Sequence, residues 1–399
     1  MNSKNKILHN CKIERKINVL VLCGGLGTRI SKITKKTPKP LIKVNNKPFI
    51  YFVIMNLFRQ GFTDFYLLTY YKHDKFSKFV KYFKKNKKIN INIIKEKKKL
   101  DTGGAIINAT KIIKNNKDFL VINGDTYHDI NFLELISLFK KSNKKILLPI
   151  IKKSNESKKL LGLSLNKKNK IIFKKKSKYM NSGIYIFKNN YFSKESVSKI
   201  SFEEDILFKV IKKGHLRGKL YNEKYIDIGS YKSLNKIESF IKKNFINKQI
   251  LFIDRDNTLN YDKGYTYKLN DAKIIKNNIS YIKNNFSNSL KYIVSNQAGI
   301  AKKKFTIQNF KSFMEYLDKT LSKNDLYIND IFYCPHHPDA KVKFFKKNCS
   351  YRKPNIKMIL DLKKKYDLNL NKSFFIGDSD IDKFTAKNAK IKFYSTSEF

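Results

Sequence analysis

Apolar residues fall along this chain in short runs separated by polar, lysine-rich stretches. Ile17-Asn-Val-Leu-Val-Leu-Cys23 is almost continuously apolar, the pattern of a strand buried on both faces. A glycine-rich turn, Gly24-Gly-Leu-Gly-Thr-Arg29, follows at once. Helical spacing then predicts a helix over residues 49–60, a strand over 65–69, a helix over 73–85 and a strand over 90–94. A further helix is expected over 103–115, and the run 119–125 reads as a strand ending in the carboxylate of Asp125. A charged helix over about 233–244 closes this stretch. The pattern then starts afresh: Ile250-Leu-Phe-Ile253 leads into Asp254-Arg-Asp-Asn-Thr258, residues 292–294 lead into Ser295, and residues 374–376 lead into Gly377-Asp-Ser379. Strands alternating with helices predict two α/β units with mostly parallel sheets, and ligands of such sheets sit at the carboxyl ends of strands. Domains are expected over 15–247 and 248–399.

Composition narrows the class. With 399 residues, 41% of them hydrophobic, the chain can build two cores, which excludes a wholly disordered protein. No apolar run reaches the roughly 18 residues of a membrane span, and the polar N-terminus does not read as a secretory signal. Four scattered cysteines make no disulfide framework. A soluble, cytoplasmic protein without a membrane partner is expected. The formal net charge of +53 first suggests nucleic acid. Yet lysine runs are spread over the whole length and arginine occurs only at Arg15, Arg29, Arg59, Arg217, Arg255 and Arg352. Dedicated base-reading sites lean on arginine for its bidentate geometry, so nucleic acid is not the expected partner.

The turn Gly24-Gly25-x-Gly27-Thr28-Arg29 after a buried strand suits a phosphate cradle, in which backbone N–H groups approach phosphate oxygens. Its glycine spacing fits neither the dinucleotide fingerprint nor a P-loop. Pro38-Lys39-Pro40-Leu41, Leu100-Asp-Thr-Gly-Gly-Ala105, Asn123-Gly-Asp125, Asn181-Ser-Gly183 and Asp227-Ile-Gly229 follow in order. The series resembles the sugar-1-phosphate nucleotidyltransferase family, whose fold is a GT-A-like nucleotide-binding domain with a mixed sheet. The resemblance implies attack of a sugar 1-phosphate oxygen on the α-phosphorus of an NTP, with release of pyrophosphate. It makes Arg29 and Lys39 the basic residues around the triphosphate, and Asp125 and Asp227 the Mg²⁺ carboxylates. Gly24, Gly25, Gly27, Thr28, Gly103 and Gly104 would bind nucleotide, Asn181 the sugar and Lys176 its phosphate. Lys175 stands where glutamate is common and Asp101 where glycine is common. The Leu-x-Thr-Gly-Gly-Ala form looks most like the heptose 1-phosphate guanylyltransferase branch.

Asp254-x-Asp256-x-Thr258, Ser295, Lys353 and Asp378-x-x-x-Asp382 together resemble the haloacid dehalogenase superfamily of phosphatases. By that resemblance Asp254 is the nucleophile and Asp256 the general acid and base. Ser295, Asn296 and Lys353 would hold the transferred phosphoryl group, and Arg352 the remote phosphate of the sugar. Mg²⁺ would be held by Asp254, the Asp256 main chain and Asp378, with Asp382 as a supporting acid. Asn257 replaces the usual glycine, but asparagine tolerates positive φ. Only 41 residues separate Asp254 from Ser295, so a capless Rossmannoid domain is expected. The layout is similar to heptose-bisphosphate and histidinol phosphatases, which carry a Cys-x-His…Cys-x-Cys zinc loop. Cys334, His336 and Cys349 match it, and Tyr351 replaces the last cysteine. Two outcomes are open there: a Zn²⁺ site completed by His337, or a loop held by packing.

The two resemblances imply one bifunctional enzyme. Its C-terminal half would remove the 7-phosphate of D-glycero-D-manno-heptose 1,7-bisphosphate, and its N-terminal half would couple heptose 1-phosphate to an NTP, taken as GTP. Its partners would be those small molecules, with a homo-oligomer left open. The alternatives are another sugar nucleotidyltransferase fused to a histidinol-type phosphatase, and a nucleic-acid end-processing phosphatase.

Overall fold

The computed structural model describes residues 9–11, 13, 15–87, 89–152, 162–167, 170–174, 177–222 and 224–399. They form two compact units. One comprises Arg15–Phe58 and Phe62–Phe245; the other comprises Ile246–Phe399, Arg59–Gly61 and the described residues of the N-terminal segment, 9–11 and 13. The sequence reading had left that segment unassigned.

The first unit is built on a ten-stranded mixed sheet. Its parallel half runs, in spatial order, Asn90–Lys95, Asp64–Thr69, Ile17–Leu22 and Asp118–Asn123. Ile17–Leu22 lies inside the sheet and is buried at every position but its last, which is why its apolar run is unbroken. Ala105, Ile106 and Ala109 of the helix Asp101–Ile112 pack with Leu20, Leu68 and Val121. Beyond Asp118–Asn123 the strand direction reverses. Ile184–Phe187, Ile146–Lys152 and Tyr179–Asn181 add antiparallel neighbours, and Leu216–Tyr221 pairs parallel with Ile146–Lys152. The expectation of a mostly parallel sheet thus describes one half of it. A separate antiparallel ribbon joins Thr126–His128 to Tyr225–Asp227, with Asp227 opposite Thr126.

The second unit holds a five-stranded parallel sheet in the order Asp330–Cys334, Leu290–Asn296, Ile250–Ile253, Ser373–Gly377, Lys392–Ser395. Chain order reverses at the central strand Ile250–Ile253, so the crevice for a ligand opens between its end and that of Ser373–Gly377. Asp254 and Asp378 stand directly after these two strands.

The N-terminal segment lies along the free edge of Asp330–Cys334. Asn10 bridges antiparallel to Phe332, Cys11 N donates to Ile331 O at 2.9 Å, and Tyr333 N donates to His9 O at 3.0 Å. Cys11 and Ile13 join the core of this unit. The edge is thereby covered, as exposed strand edges commonly are. The Asp330 carboxylate fixes the arrangement. It is 3% exposed and accepts from Asn10 Nδ2 at 3.0 Å, Lys365 Nζ at 2.7 Å and the Tyr366 hydroxyl at 2.7 Å. Among the described residues no helix is long and apolar enough to cross a membrane.

Replacing Asp330 by Ala removes one charged acceptor shared by all three donors. The variant is expected to lose about 1.5–3 kcal/mol, the scale of hydrogen bonds to a charged group, read as a lower midpoint in urea unfolding of the full chain.

Candidate active sites

In the first unit, the turn after Ile17–Leu22 and the end of Asp118–Asn123 wall a cleft of about 590 Å³. Gly24, Gly25, Gly27, Thr28, Lys39 and Asp125 line it, six residues singled out in the sequence. Gly27 adopts φ 69°, the left-handed conformation glycine tolerates without a Cβ penalty, and the turn passes into the short helix Thr28–Ile30. Lys39 is buried in the turn Lys39–Leu41 and its Nζ meets Asp125 Oδ2 at 2.8 Å. The antiparallel ribbon brings Asp227 to the same place: Ile228 N donates to Asp125 O at 3.0 Å. The Arg29 guanidinium lies against Gly229, beside Asp227 Oδ1. Lys39 and Asp125 thus line the cleft, while Arg29 and Asp227 stand together next to it without lining it. Asp125 and Asp227 are the residues here that would offer carboxylates to a Mg²⁺ ion taking its remaining ligands from phosphates and water.

Gly103 and Gly104 do not line this cleft. Both are buried, and a Cβ on Gly104 would stand 2.1 Å from Ser198 O, one on Gly103 2.9 Å from Ile200 O. They let the helix Asp101–Ile112 approach the segment 198–202, which aims Thr102 at the cleft. Asp101, in place of a common glycine, sits at φ 56°. Asn181 reaches the cleft wall through others: its amide donates to the Tyr185 hydroxyl, which donates to Glu203 Oε1 at 2.7 Å. Lys176 lies outside the described residues.

Glu96 was not foreseen. It lines the cleft beside Gly24, is 6% exposed, and accepts from Leu100 N at 3.1 Å. Burial raises its carboxyl above the ordinary range, against the pull of that N–H group. A glutamate in a lysine-rich stretch carried no distinguishing sequence signal.

In the second unit, Asp254, Asp378 and Asp382 bring carboxylate oxygens within 4.8 Å of one another. Lys353, 4% exposed, sits among them, with Nζ at 2.7 Å from Asp254 Oδ1 and 2.5 Å from Asp382 Oδ1. Burial pushes the Asp254 carboxyl up to about 7 while Lys353 pulls it down. Burial alone would lower the Lys353 ammonium, but Asp254 and Asp382 hold it above its usual value. Three carboxylates around one ammonium, two of them buried and Asp378 exposed, leave net negative charge, which fits a divalent ion. Asp382 also accepts from the Ser379 hydroxyl at 2.7 Å, as a supporting acid would.

Asp256 is held by Arg255 through Oδ1 and by Gln297 Nε2 at 2.9 Å through Oδ2. Gln297 also donates to Ser295 Oγ at 2.8 Å, tying Asp256 to the hydroxyl expected to bind phosphate. Arg255 is buried with its guanidinium over the Phe313 ring at 5.0 Å. The sequence reading missed both partners, Arg255 and Gln297. Asn257 adopts φ 51°, the conformation for which it was judged tolerable. Asn296 was expected to touch phosphate. Its amide meets the Lys353 main chain: Nδ2 donates to Lys353 O at 3.1 Å and Oδ1 accepts from Lys353 N at 2.9 Å. The loop that carries Lys353 is thus clamped to the end of Leu290–Asn296.

Cys334, His336 and Cys349 do come together. Cys334 Sγ is 3.7 Å from His336 Nδ1, and contact with Cys334 draws the Cys349 thiol down toward thiolate. His337 is not part of this cluster; its Nδ1 accepts from Asp339 N at 3.1 Å. His9 is, with ligand atoms of His9, His336 and Cys349 all within 4.8 Å of one another. No local motif could have pointed to it, because 324 residues separate it from its hydrogen-bond partner Tyr333. The Arg352 guanidinium donates to His336 O at 3.3 Å.

A glycine-cradled cleft with paired acids, and a buried aspartate–lysine cluster at the switch point of a parallel sheet, define a nucleotidyl transferase unit followed by a phosphatase unit. The nucleotidyl transferase family model matches residues 18–244, more than half of the chain, and the chain belongs to that family. Residues 249–399 match the polynucleotide kinase 3 phosphatase family. Among individual relatives, the D-glycero-alpha-D-manno-heptose 1-phosphate guanylyltransferase of Campylobacter jejuni is 34% identical, over 53% of this chain and 95% of its own length. The D-glycero-beta-D-manno-heptose-1,7-bisphosphate 7-phosphatase of Photorhabdus laumondii is 37% identical, over 35% of this chain and 76% of its own. A solved structure from Bacillus anthracis, described as a glucose-1-phosphate thymidylyltransferase, shares the fold of the first unit, with 19% identity, TM-score 0.51, and coverage of 58% of this chain and 98% of that one.

Since Asn296 positions Lys353, Asn296→Ala is expected to lower kcat for phosphate release by up to about 100-fold, the cost of a misplaced catalytic group. KM should change far less, and steady-state kinetics on the full chain separate the two.

Proposed function

We propose that the chain catalyses two consecutive steps toward a nucleotide-activated heptose. The second unit removes the 7-phosphate of D-glycero-D-manno-heptose 1,7-bisphosphate. The first unit then joins the resulting heptose 1-phosphate to GMP from GTP, releasing pyrophosphate. The observation that carries this reading is one chain bearing both sites, each with a relative named for one of two adjoining reactions.

In the phosphatase step, Asp254 attacks the C7 phosphoryl group. The Asp254 Oδ–P bond forms as the P–O bond to C7 breaks, and Asp256 gives its proton to the leaving alkoxide. Asp256 then takes a proton from the water that attacks phosphorus, which releases phosphate and restores Asp254. Arg255 and Gln297 hold Asp256 for both transfers. Ser295 and Lys353 grip the phosphoryl oxygens, and Arg352 meets the remote phosphate. In the nucleotidyl step the reaction is an in-line displacement at the α-phosphorus, which calls for positioning and charge neutralisation by Arg29 and Lys39 more than for covalent help. Mg²⁺ held by Asp254, the Asp256 main chain and Asp378 in one unit, and by Asp125 and Asp227 in the other, would supply the charge that lets anion approach anion. Consumption of GTP suits a cytoplasmic enzyme whose product feeds a surface polysaccharide or lipopolysaccharide.

The anomer follows from bond bookkeeping. Neither step breaks the C1–O bond, so the bisphosphate that enters must carry the anomeric configuration of the nucleotide sugar that leaves. The names of the two relatives differ on this point, alpha for the transferase and beta for the phosphatase. A chain that uses its own product needs one anomer, and the transferase relative, matched over 95% of its length, favours alpha.

The separate sites make opposite predictions. Asp254→Asn is expected to abolish phosphate release while sparing pyrophosphate release from supplied heptose 1-phosphate, and Asp125→Ala to do the reverse; loss of both activities in either variant sinks the two-site reading. In a substrate comparison, the alpha bisphosphate should be hydrolysed fastest and yield GDP-heptose by mass spectrometry with all four NTPs present. Faster turnover of the beta anomer overturns the anomer assignment. Faster turnover of histidinol phosphate or of a 3′-phosphorylated oligonucleotide overturns the substrate class.

A further inference from the structure

The zinc loop of the second unit resembles a four-ligand motif from which one cysteine is missing, and an N-terminal histidine stands at the gap. We propose that His9 is a metal ligand which, with Cys334, His336 and Cys349, completes a Cys2His2 zinc site in this chain. The inference does not depend on which phosphate ester the unit hydrolyses.

The donor geometry supports it. Ligand atoms of His9, His336 and Cys349 lie within 4.8 Å of one another, and Cys334 Sγ lies 3.7 Å from His336 Nδ1. In a tetrahedral site with Zn–S near 2.3 Å and Zn–N near 2.0–2.1 Å, ligand atoms stand about 3.3–3.8 Å apart. His9, His336 and Cys349 thus stand close to that spacing, and Cys334, which touches His336 but lies outside the 4.8 Å group, closes on the ion as the fourth ligand. All four side chains are buried, His9 to 5% and His336 to 2% exposure. Two thiolates balance a divalent cation, so the closed site is neutral and tolerates burial.

His9 is also oriented as metal-bound histidines are. Its Nδ1 donates to Tyr333 O at 3.0 Å, which leaves the lone pair on Nε2 for an ion. The ring stacks on Tyr351, with centroids 3.8 Å apart and planes 3° from parallel. Tyr351 itself is turned away, its hydroxyl donating to Asp361 Oδ2. The residue that replaces the missing cysteine thus gives up ligation and becomes the wall against which the new ligand rests.

The ligands come from three separate stretches: the N-terminal segment, the end of Asp330–Cys334, and the loop running from Cys349 to Lys353. Arg352 N donates to Cys349 O at 2.9 Å, so the third stretch is a short turn linking the metal cluster to the phosphatase lysine. An ion bound there would fasten the N-terminal segment to the loop that presents Arg352 and Lys353. This gives a segment preceding the nucleotidyl transferase region a part in shaping the phosphatase site.

The test uses the purified full-length chain and measures metal directly. Elemental analysis should find one zinc per chain, and the Co²⁺-substituted protein should show tetrahedral d–d bands with sulfur-to-cobalt charge transfer. His9→Ala should weaken Zn²⁺ binding by at least about 100-fold, the upper end of what loss of an outer partner already costs. His9→Cys should keep the metal and strengthen the charge-transfer band, as a third thiolate enters. His9→Ala combined with Tyr351→Cys should recover tight binding. Wild-type chain that holds neither Zn²⁺ nor tetrahedral Co²⁺ overturns the proposal. So does His9→Ala with unchanged affinity and spectrum, or equal loss of metal in His9→Ala and His9→Cys, which would mark a structural effect of position 9 alone.

Discussion

Everything in the second unit converges on one buried ammonium. Lys353, 4% exposed, lies between the buried Asp254 and Asp382, and neither partner charge would be tolerable there alone. The unit is organised to bring these charges to one point. The parallel sheet reverses its order at Ile250–Ile253, so Asp254 and Asp378 leave adjacent strand ends. Asn296 clamps the main chain of Lys353 from the strand on the other side. Asp382 reaches the cluster from the first turn of the helix Asp380–Asn388. Removing Lys353 would leave Asp254 and Asp382 buried without their counter-charge, so the architecture and the chemistry stand on the same contact.

The first unit solves a related problem with a different device. Its Lys39–Asp125 pair is set by a turn and a strand end, while Asp227 arrives on a two-stranded ribbon whose register places it beside Asp125. The strand Thr126–His128 of that ribbon is buried throughout, with Tyr127 packed edge-on against Phe240 and Phe245, so core burial and main-chain pairing together set its place. Close packing supplies the rest of the precision. Gly103 and Gly104 admit the segment 198–202 against the helix Asp101–Ile112, and Thr102 and Glu203 then meet at the cleft wall through a 2.7 Å hydrogen bond.

Strand-end carboxylates were legible in the sequence because buried parallel strands write themselves as apolar runs, and the residue after such a run must face the crevice. That logic located Asp125, Asp254 and Asp378. It failed where function depends on partners brought in by tertiary structure. The clamp of the Asn296 amide on the Lys353 main chain had no sequence signal. Gln297 and Arg255 carry no spacing signal, since each acts by orienting Asp256. Ile146–Lys152 is as continuously apolar as Ile17–Leu22, but Pro149 in its middle reads against a central strand. His9 was beyond reach of any local pattern: only the antiparallel pairing of Asn10 with Phe332 brings it to the cysteines.

The charge of +53 also acquires a physical meaning from these contacts. The cations at the reaction centres are already paired: Lys39 with Asp125, Lys353 with Asp254 and Asp382, Arg255 with Asp256. A phosphate that enters either site therefore meets carboxylates as well as ammonium groups, and the balance must be tipped by additional positive charge close at hand. Surface lysines cannot do this, because their field is screened over a Debye length of about 8–10 Å at physiological salt. They raise the local concentration of anionic substrates at the cleft mouths. Inside, where carboxylates would face an incoming phosphoryl group at contact distance, a bound divalent cation would supply the charge density that lets them approach. The acids in these two sites thus explain more of the chemistry than the far more numerous bases.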